Sequence, residues 1–157
     1  MDAYDLKILE ILVSNAKEAH EKISKSLNLS RPAISQRIKK LEDAGVIKKY
    51  QTIIDWTKLG YPLNVFIYIK IRTKNFENVA QEIIAVRTEG AFLEELHRLA
   101  GEWCIMLKIR STLPQALTQY IDKLQKIDAV VSTSTTFIFS TVYQNDNAME
   151  DILNNNC

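Results

Sequence analysis

The sequence predicts an α+β protein in two parts, and three observations predict it. Roughly the first 50 residues carry helical periodicity alone. Residues 63–143 alternate strand and helix patterns in the order β, α, β, β, α, β, and residues 56–62, WTKLGYP, punctuate the join with Gly60 and Pro62. Charge divides the same way: residues 1–62 hold 11 Lys and Arg against 8 Asp and Glu, net +3, and the remainder is −2, in a chain of 157 residues with a formal net charge of +1.

Residues 3–14 read as the first helix. Tyr4, Ile8, Ile11 and Leu12 share one face, and Asp2 or Asp5 stands at the positive end of the helix dipole. Residues 21–27 form a second, shorter helix with Ile23 and Leu27 one turn apart, and Asn28 and Leu29 make a tight turn. Ser30 then caps a third helix, with Pro32 inside its first turn and Gly45 as its stop signal. In this helix, SRPAISQRIKKLEDAG, Ile34, Ile38 and Leu41 point into a core. Pro32, Gln36, Lys39 and Lys40 lie opposite, and Arg31, Ser35 and Arg37 flank them.

Two short helices across such a turn make a helix-turn-helix. Residues 31–49 carry six basic side chains (Arg31, Arg37, Lys39, Lys40, Lys48, Lys49) against Glu42 and Asp43, a local net charge of +4. A concentrated patch matters more than the total, and a short helix with a basic, hydrogen-bonding outer face suits the DNA major groove. After Gly45, VIKKYQTIID favours β structure and reads as a short strand or wing that touches phosphates through Lys48 and Lys49. A core of three short helices is marginal alone and is expected to lean on a partner.

In the second part, Val65, Ile67, Ile69 and Ile71 alternate with Phe66, Tyr68, Lys70 and Arg72, the period of a strand. Phe76, Val79, Ala80, Ile83 and Ile84 give a helical stripe that ends before Gly90. Residues 91–99 form a weaker strand, Gly101 turns the chain, and Trp103, Ile105, Leu107 and Ile109 form one face of the next strand, paired with it as a hairpin. Thr112 and Gln115 have capping-box spacing ahead of a helix with Leu113, Leu117, Tyr120, Ile121 and Leu124 inside. Residues 130–143 make a long, threonine-rich last strand. This order is the ferredoxin-like split unit, an antiparallel sheet with both helices on one face. Apolar side chains on its other face make a patch too large for a monomer, so a second subunit is expected to cover it. The expected domains are residues 1–50, a linker strand and hinge at 51–62, the sheet domain at 63–143, and a polar tail at 144–157. The tail, with Met149, Ile152 and Leu153, is either a frayed end or a short helix docking on a neighbour.

Composition excludes several classes. With 46% hydrophobic and 25% charged residues, and no run of 18 apolar residues, neither a disordered chain nor a membrane span is expected. The acidic start MDAYDLKILEIL is not a secretory signal, so a cytoplasmic location is expected. Cys104 and Cys157 are far apart and His20 and His97 lack partner motifs. No disulfide framework, metal site or cofactor is expected, and acid-base catalysis is poorly provided for.

The helix-turn-helix followed by a linker and β-α-β-β-α-β resembles the Lrp/AsnC family of transcription regulators. The resemblance is carried by Asp2 and Asp5 ahead of Ile8 and Leu9, by LNLSRPAISQRIKKLEDAGVIKKY at residues 27–50, by Leu59 and Gly60, by Gly101, Glu102 and Trp103 at the hairpin, and by Thr133 and Thr135. It implies a homodimer built through the sheets, assembly of dimers into higher oligomers such as octamers, and an amino-acid effector bound where dimers meet. The implied DNA surface falls on Ser30, Arg31, Ser35, Gln36, Arg37, Lys39 and Lys40, and the implied effector loop on Ala100, Gly101, Glu102, Trp103 and Cys104, with Thr133 and Thr135 beside it. One departure stands out: Cys104 occupies a position where the family usually has aspartate. If that aspartate holds the ligand's ammonium group, then Glu102 or a residue such as Asp122 substitutes, or backbone groups hold the ligand.

Apart from any family, Gly101 permits close approach to backbone, turn N–H groups suit a carboxylate, and threonine hydroxyls supply neutral partners. The function expected is a ligand-responsive regulator bound to double-stranded DNA, with half-sites about 10 base pairs apart or a multiple of that. An effector-independent architectural chromatin protein is the alternative. A small enzyme using His97, Glu102 and Cys104 lacks a nucleophile and base at recognisable spacing.

Overall fold

The computed structural model describes residues 1–143; the expected tail lies outside them. The described chain falls into two compact units, Met1–Ile53 and Ile54–Thr141.

In the first unit, α1 (Ala3–Ser14), α2 (His20–Leu27) and α3 (Arg31–Asp43) surround one small core. Ile8, Leu9 and Leu12 from α1, Ile23 from α2, and Ile34, Ile38 and Leu41 from α3 fill it. The start of α1 is a reciprocal cap: Asp2 accepts from the N–H groups of Tyr4 and Asp5, and the Asp2 N–H donates to the Asp5 carboxylate at 2.9 Å. Asn28 closes α2 at φ +52, a left-handed conformation that asparagine tolerates. Ser30 caps α3 by accepting from the Ala33 N–H.

Two expectations fail in this unit. Tyr4 is 44% exposed rather than in the core, because its ring stands beneath the Arg37 guanidinium, 5.5 Å away. Residues 48–55 form no strand. Their β-favouring composition is real, but among the described residues no strand lies beside them to complete a ladder, and a lone strand leaves its N–H and C=O groups unpaired.

The second unit runs β1 (Leu63–Ile71), α4 (Phe76–Ala85), β2 (Ala91–Arg98), β3 (Ile105–Ser111), α5 (Pro114–Gln125) and β4 (Val130–Phe137). The sheet order is β2-β3-β1-β4 with every neighbour antiparallel, the ferredoxin-like arrangement. Val65, Ile67 and Ile69 lie opposite Ile109, Leu107 and Ile105 and are wholly buried beneath Val79 and Ile83 of α4 and Leu117, Tyr120 and Leu124 of α5.

The opposite face of the sheet is more polar than expected. Half-buried Phe66, Tyr68 and Met106 occupy its middle, and an ion-pair network flanks them: Lys108 reaches Glu95 at 3.0 Å and Glu94 at 3.5 Å, and Arg110 reaches Glu94 at 2.8 Å.

Several local details also differ from expectation. Thr112 does not cap α5. Its hydroxyl donates to the Gly90 carbonyl at 3.2 Å, Leu113 takes the cap position and is 59% exposed, and Pro114 at the first helical position supplies the start signal instead. β4 ends at Phe137, short of residue 143: Phe137 pairs with Val65, two residues from the start of β1, and the Ile138 N–H makes one further bond, to the Asn64 carbonyl at 2.9 Å. Residues 56–62 are no free hinge: the rings of Trp56 and Tyr61 pack on Phe92 of β2 at 5.0 and 5.1 Å, which fastens the stretch to the sheet unit. No helix among the described residues is long and apolar enough to cross a membrane.

Candidate nucleic-acid and effector sites

Burying Ile34, Ile38 and Leu41 turns the other side of α3 outward. Ser30, Arg31, Gln36, Lys39 and Lys40 are exposed there, and so are Lys48 and Lys49 just after the helix. Among the described residues, none of the five cations Arg31, Lys39, Lys40, Lys48 and Lys49 has a carboxylate within salt-bridge distance. On α2, by contrast, Lys22 pairs with Glu18 and Lys25 with Glu21. Lys7 and Lys17 are also without such a partner, so five of the unit's seven unpaired Lys and Arg side chains among the described residues lie on α3 and the segment that follows it.

Two of the expected DNA-contacting residues are placed differently. Arg37 is turned back into its own unit: its guanidinium lies 2.7 Å from both Asp2 and Asp5. The Asp5 side chain is 4% exposed. Burial there works against ionisation, but the Asp2 N–H and the Arg37 guanidinium outweigh it and hold the carboxyl below the usual aspartate range. The Asp2 carboxyl is lowered as well, chiefly by the Asp5 N–H and then by Arg37. Arg37 therefore ties α3 to the start of α1 and leaves the outward surface. Ser35 is half-buried and hydrogen-bonded to His20 Nδ1 at 2.9 Å. His20 has no sequence motif that would single it out, because only the crossing of α2 over α3 brings residues 15 positions apart together.

The effector candidates separate into two groups. Gly101 turns at φ +130 with open space where a Cβ would stand. Beside it the Glu102 carboxylate accepts from Lys70 at 2.6 Å, a bond that lowers its pKa, and the Lys70 ammonium stands 4.9 Å over the Trp103 ring. Tyr68 is 6.2 Å from the same ring. Trp103 thus precedes β3 rather than extending its buried face, and it joins the side of the sheet that carries Tyr68 and Lys70. Cys104 is pinned to β1: its N–H donates to the Ile69 carbonyl at 3.0 Å, and its thiol points at the Ile71 carbonyl, 3.9 Å away.

Thr133 and Thr135 lie opposite Ile69 and Ile67 in register, on the helix-covered side of the sheet. Gln125 of α5 donates to the Thr133 hydroxyl at 3.0 Å. Asp122 is exposed one turn earlier on α5. A single chain therefore does not set the two threonines beside the face of the loop that carries Glu102 and Trp103. Glu102 also falls short as the free carboxylate expected to replace the family's aspartate, since Lys70 already holds it. Nor do His97, Glu102 and Cys104 form a reactive cluster: His97 bonds to Glu95 at 2.8 Å.

Residues 1–48 match a family described as winged helix-turn-helix DNA-binding, and residues 64–148 match the Lrp/AsnC ligand binding domain. An HTH-type transcriptional regulator from Pyrococcus horikoshii, FL11, is 31% identical over 141 residues, covering 90% of this chain and 91% of the relative. The solved structure of Escherichia coli AsnC superposes with a TM-score of 0.82 at 26% identity, over 92% of this chain and 95% of that one. A transcriptional regulator from Neisseria meningitidis solved as an L-Met complex superposes with a TM-score of 0.83 at 24% identity, over 92% and 93% of the two chains.

Proposed function

The chain belongs to the Lrp/AsnC family of DNA-binding transcriptional regulators, and from that premise we propose how its own residues carry out recognition and response. The outward side of α3 enters a DNA major groove. Arg31, Ser35, Gln36 and Lys39 meet base edges, and Lys40, Lys48, Lys49 and the helix-end group Ser30 meet phosphates. The observation that carries this assignment is the exposure, without ion-pair partners among the described residues, of Arg31, Lys39 and Lys40 on a helix whose other side is buried and of Lys48 and Lys49 in the segment that follows it.

The protein acts in the cytoplasm as a homodimer that assembles further, to an octamer, and needs no cofactor. An amino acid is the effector, a class that fits the L-Met complex among the solved neighbours. The effector binds at a subunit interface. The separation of Thr133 and Thr135 from Glu102 and Trp103 across the sheet supports that location, since a ligand touching both groups needs them from different copies. The effector acts only through a difference in affinity between assemblies.

Two outcomes are expected on DNA. Gln36→Ala lowers discrimination between specific and mismatched sites by about 1–3 kcal/mol, measured by competition binding; equal loss on specific and random DNA removes Gln36 from base reading. Lys40→Ala weakens binding to every sequence and reduces the slope of log affinity against log salt by about 0.9; an unchanged slope removes Lys40 from the phosphate contacts. The whole assignment is tested by selecting bound DNA from a random pool at near-physiological salt, with and without the twenty amino acids. A palindromic motif that changes strength or spacing with the mixture supports it. Uniform, amino-acid-independent binding favours an architectural protein instead.

A further inference from the structure

His20 is the first residue of α2, and its imidazole Nδ1 lies 2.9 Å from Ser35 Oγ on α3. Among the described residues this is the one hydrogen bond of the Ser35 side chain. A serine hydroxyl has one proton to give and two lone pairs to offer, so the imidazole decides what Ser35 has left for a partner outside. When Nδ1 carries a lone pair, the hydroxyl donates to it and the oxygen remains an acceptor. When both ring nitrogens are protonated, Nδ1–H donates to the oxygen and the hydroxyl proton turns outward.

We propose that His20 is a positioning residue that sets the hydrogen-bond sense of Ser35 and thereby the base preferred at one position of each half-site. This rests on α3 reading DNA as proposed above. As an acceptor Ser35 matches the amino group of cytosine or adenine, and as a donor it matches N7 or O6 of guanine or O4 of thymine.

The charged and titratable groups sharing the hollow around His20 are Glu18 from the turn before α2, Lys39, Glu42 and Asp43 from α3, and Tyr50. Glu18 is held by Lys22, and the Tyr50 hydroxyl donates to Glu42 at 2.9 Å. With the neutral ring's proton on Nε2, the sense of Ser35 reverses when the ring takes up a second proton, and the pH of the experiment is the variable that adds or removes it.

The test is selection from a random DNA pool at about pH 6 and pH 8, using the full chain, His20→Asn and Ser35→Ala. Asparagine supplies an amide that does not titrate. The wild-type motif is expected to keep every position but one. There, preference shifts about three- to tenfold, from cytosine or adenine at the higher pH towards guanine or thymine at the lower. Both variants are expected to give a motif that is the same at the two pH values, and because Ser35→Ala removes the hydroxyl independently, it still decides the matter if His20→Asn folds poorly. A wild-type motif unchanged by pH overturns the inference while leaving α3 as the reader, and so does a shift that survives His20→Asn. No motif for the wild type at either pH overturns base reading by α3 and the inference with it.

Discussion

Replacement of Ile34 by alanine is expected to cost the helix-turn-helix unit about 2–5 kcal/mol and with it the capacity to bind DNA. Ile34 is wholly buried, and it is the first of the three α3 side chains that seat the helix on α1 and α2. Truncation removes its transfer energy and leaves a void that three short helices cannot close by shifting together. A unit of about 50 residues has little stability in reserve, so a loss of this size leaves it largely unfolded. The sheet unit shares none of this core. Trp56 and Trp103 both belong to the sheet unit. Tryptophan fluorescence should therefore report a transition that stays in place, while far-ultraviolet circular dichroism shows the helical transition move to lower temperature. If both move together, the two units do not unfold independently.

The second large effect is expected at the cluster of Asp2, Asp5 and Arg37. Asp5→Ala removes the Asp5 half of the reciprocal cap of α1, the acceptor of the Asp2 N–H, together with one half of the Arg37 pairing, and should destabilise the unit by about 1–2 kcal/mol. Arg37 keeps Asp2 as a partner in that variant. Arg37→Ala should be worse, because it leaves the buried Asp5 carboxylate without its cation and takes the guanidinium from above Tyr4.

The pH dependence follows from the direction of the shifts. Both carboxyls sit below their ordinary value in the folded chain. Their contribution is therefore fully present above the unfolded aspartate range, near pH 4, and is lost as pH falls through the lowered folded values. Without Arg37 the carboxyls are held down less, so acid unfolding of the helical unit should begin at a higher pH. An acid titration of Arg37→Ala that overlays the wild type would show that the cation contributes nothing to holding those carboxyls ionised.

Local patterns in the sequence carried most of the fold, because they act through neighbours a few residues apart. The Ser30 cap, Pro32 and Gly45 bound α3 where periodicity puts it, and the alternation from Val65 to Ile69 identifies the buried face of β1. What escaped depends on partners far along the chain. Arg37 looks like any outward arginine of a basic helix until α1 folds back, 32 residues away in sequence, to present Asp5. The capping-box spacing of Thr112 and Gln115 is genuine, but Gly90, 22 residues earlier, competes for the threonine hydroxyl and wins. Trp103 continues the alternation of Ile105 and Leu107, yet it precedes the strand, where alternation no longer governs direction, and Lys70 draws its ring to the other side. Among the candidate site residues, exposure of Arg31, Gln36, Lys39 and Lys40 followed from the periodicity. The separation of Thr133 and Thr135 from Glu102 needed the strand register, which one chain's pattern does not contain.

Tyr50 is bonded to Glu42 in the first unit and Trp56 packs on Phe92 in the second, so residues 51–55 are the covalent tether between the two. Five residues span at most about 18 Å, which caps how far a DNA-reading unit can stand from its own sheet. In an assembly with two such units, capture of one half-site would hold the second near its own half-site at an effective concentration in the millimolar range. Weak individual grips would then add to a firm one without any new contact. Lengthening the tether would loosen binding to paired half-sites while leaving a lone half-site untouched.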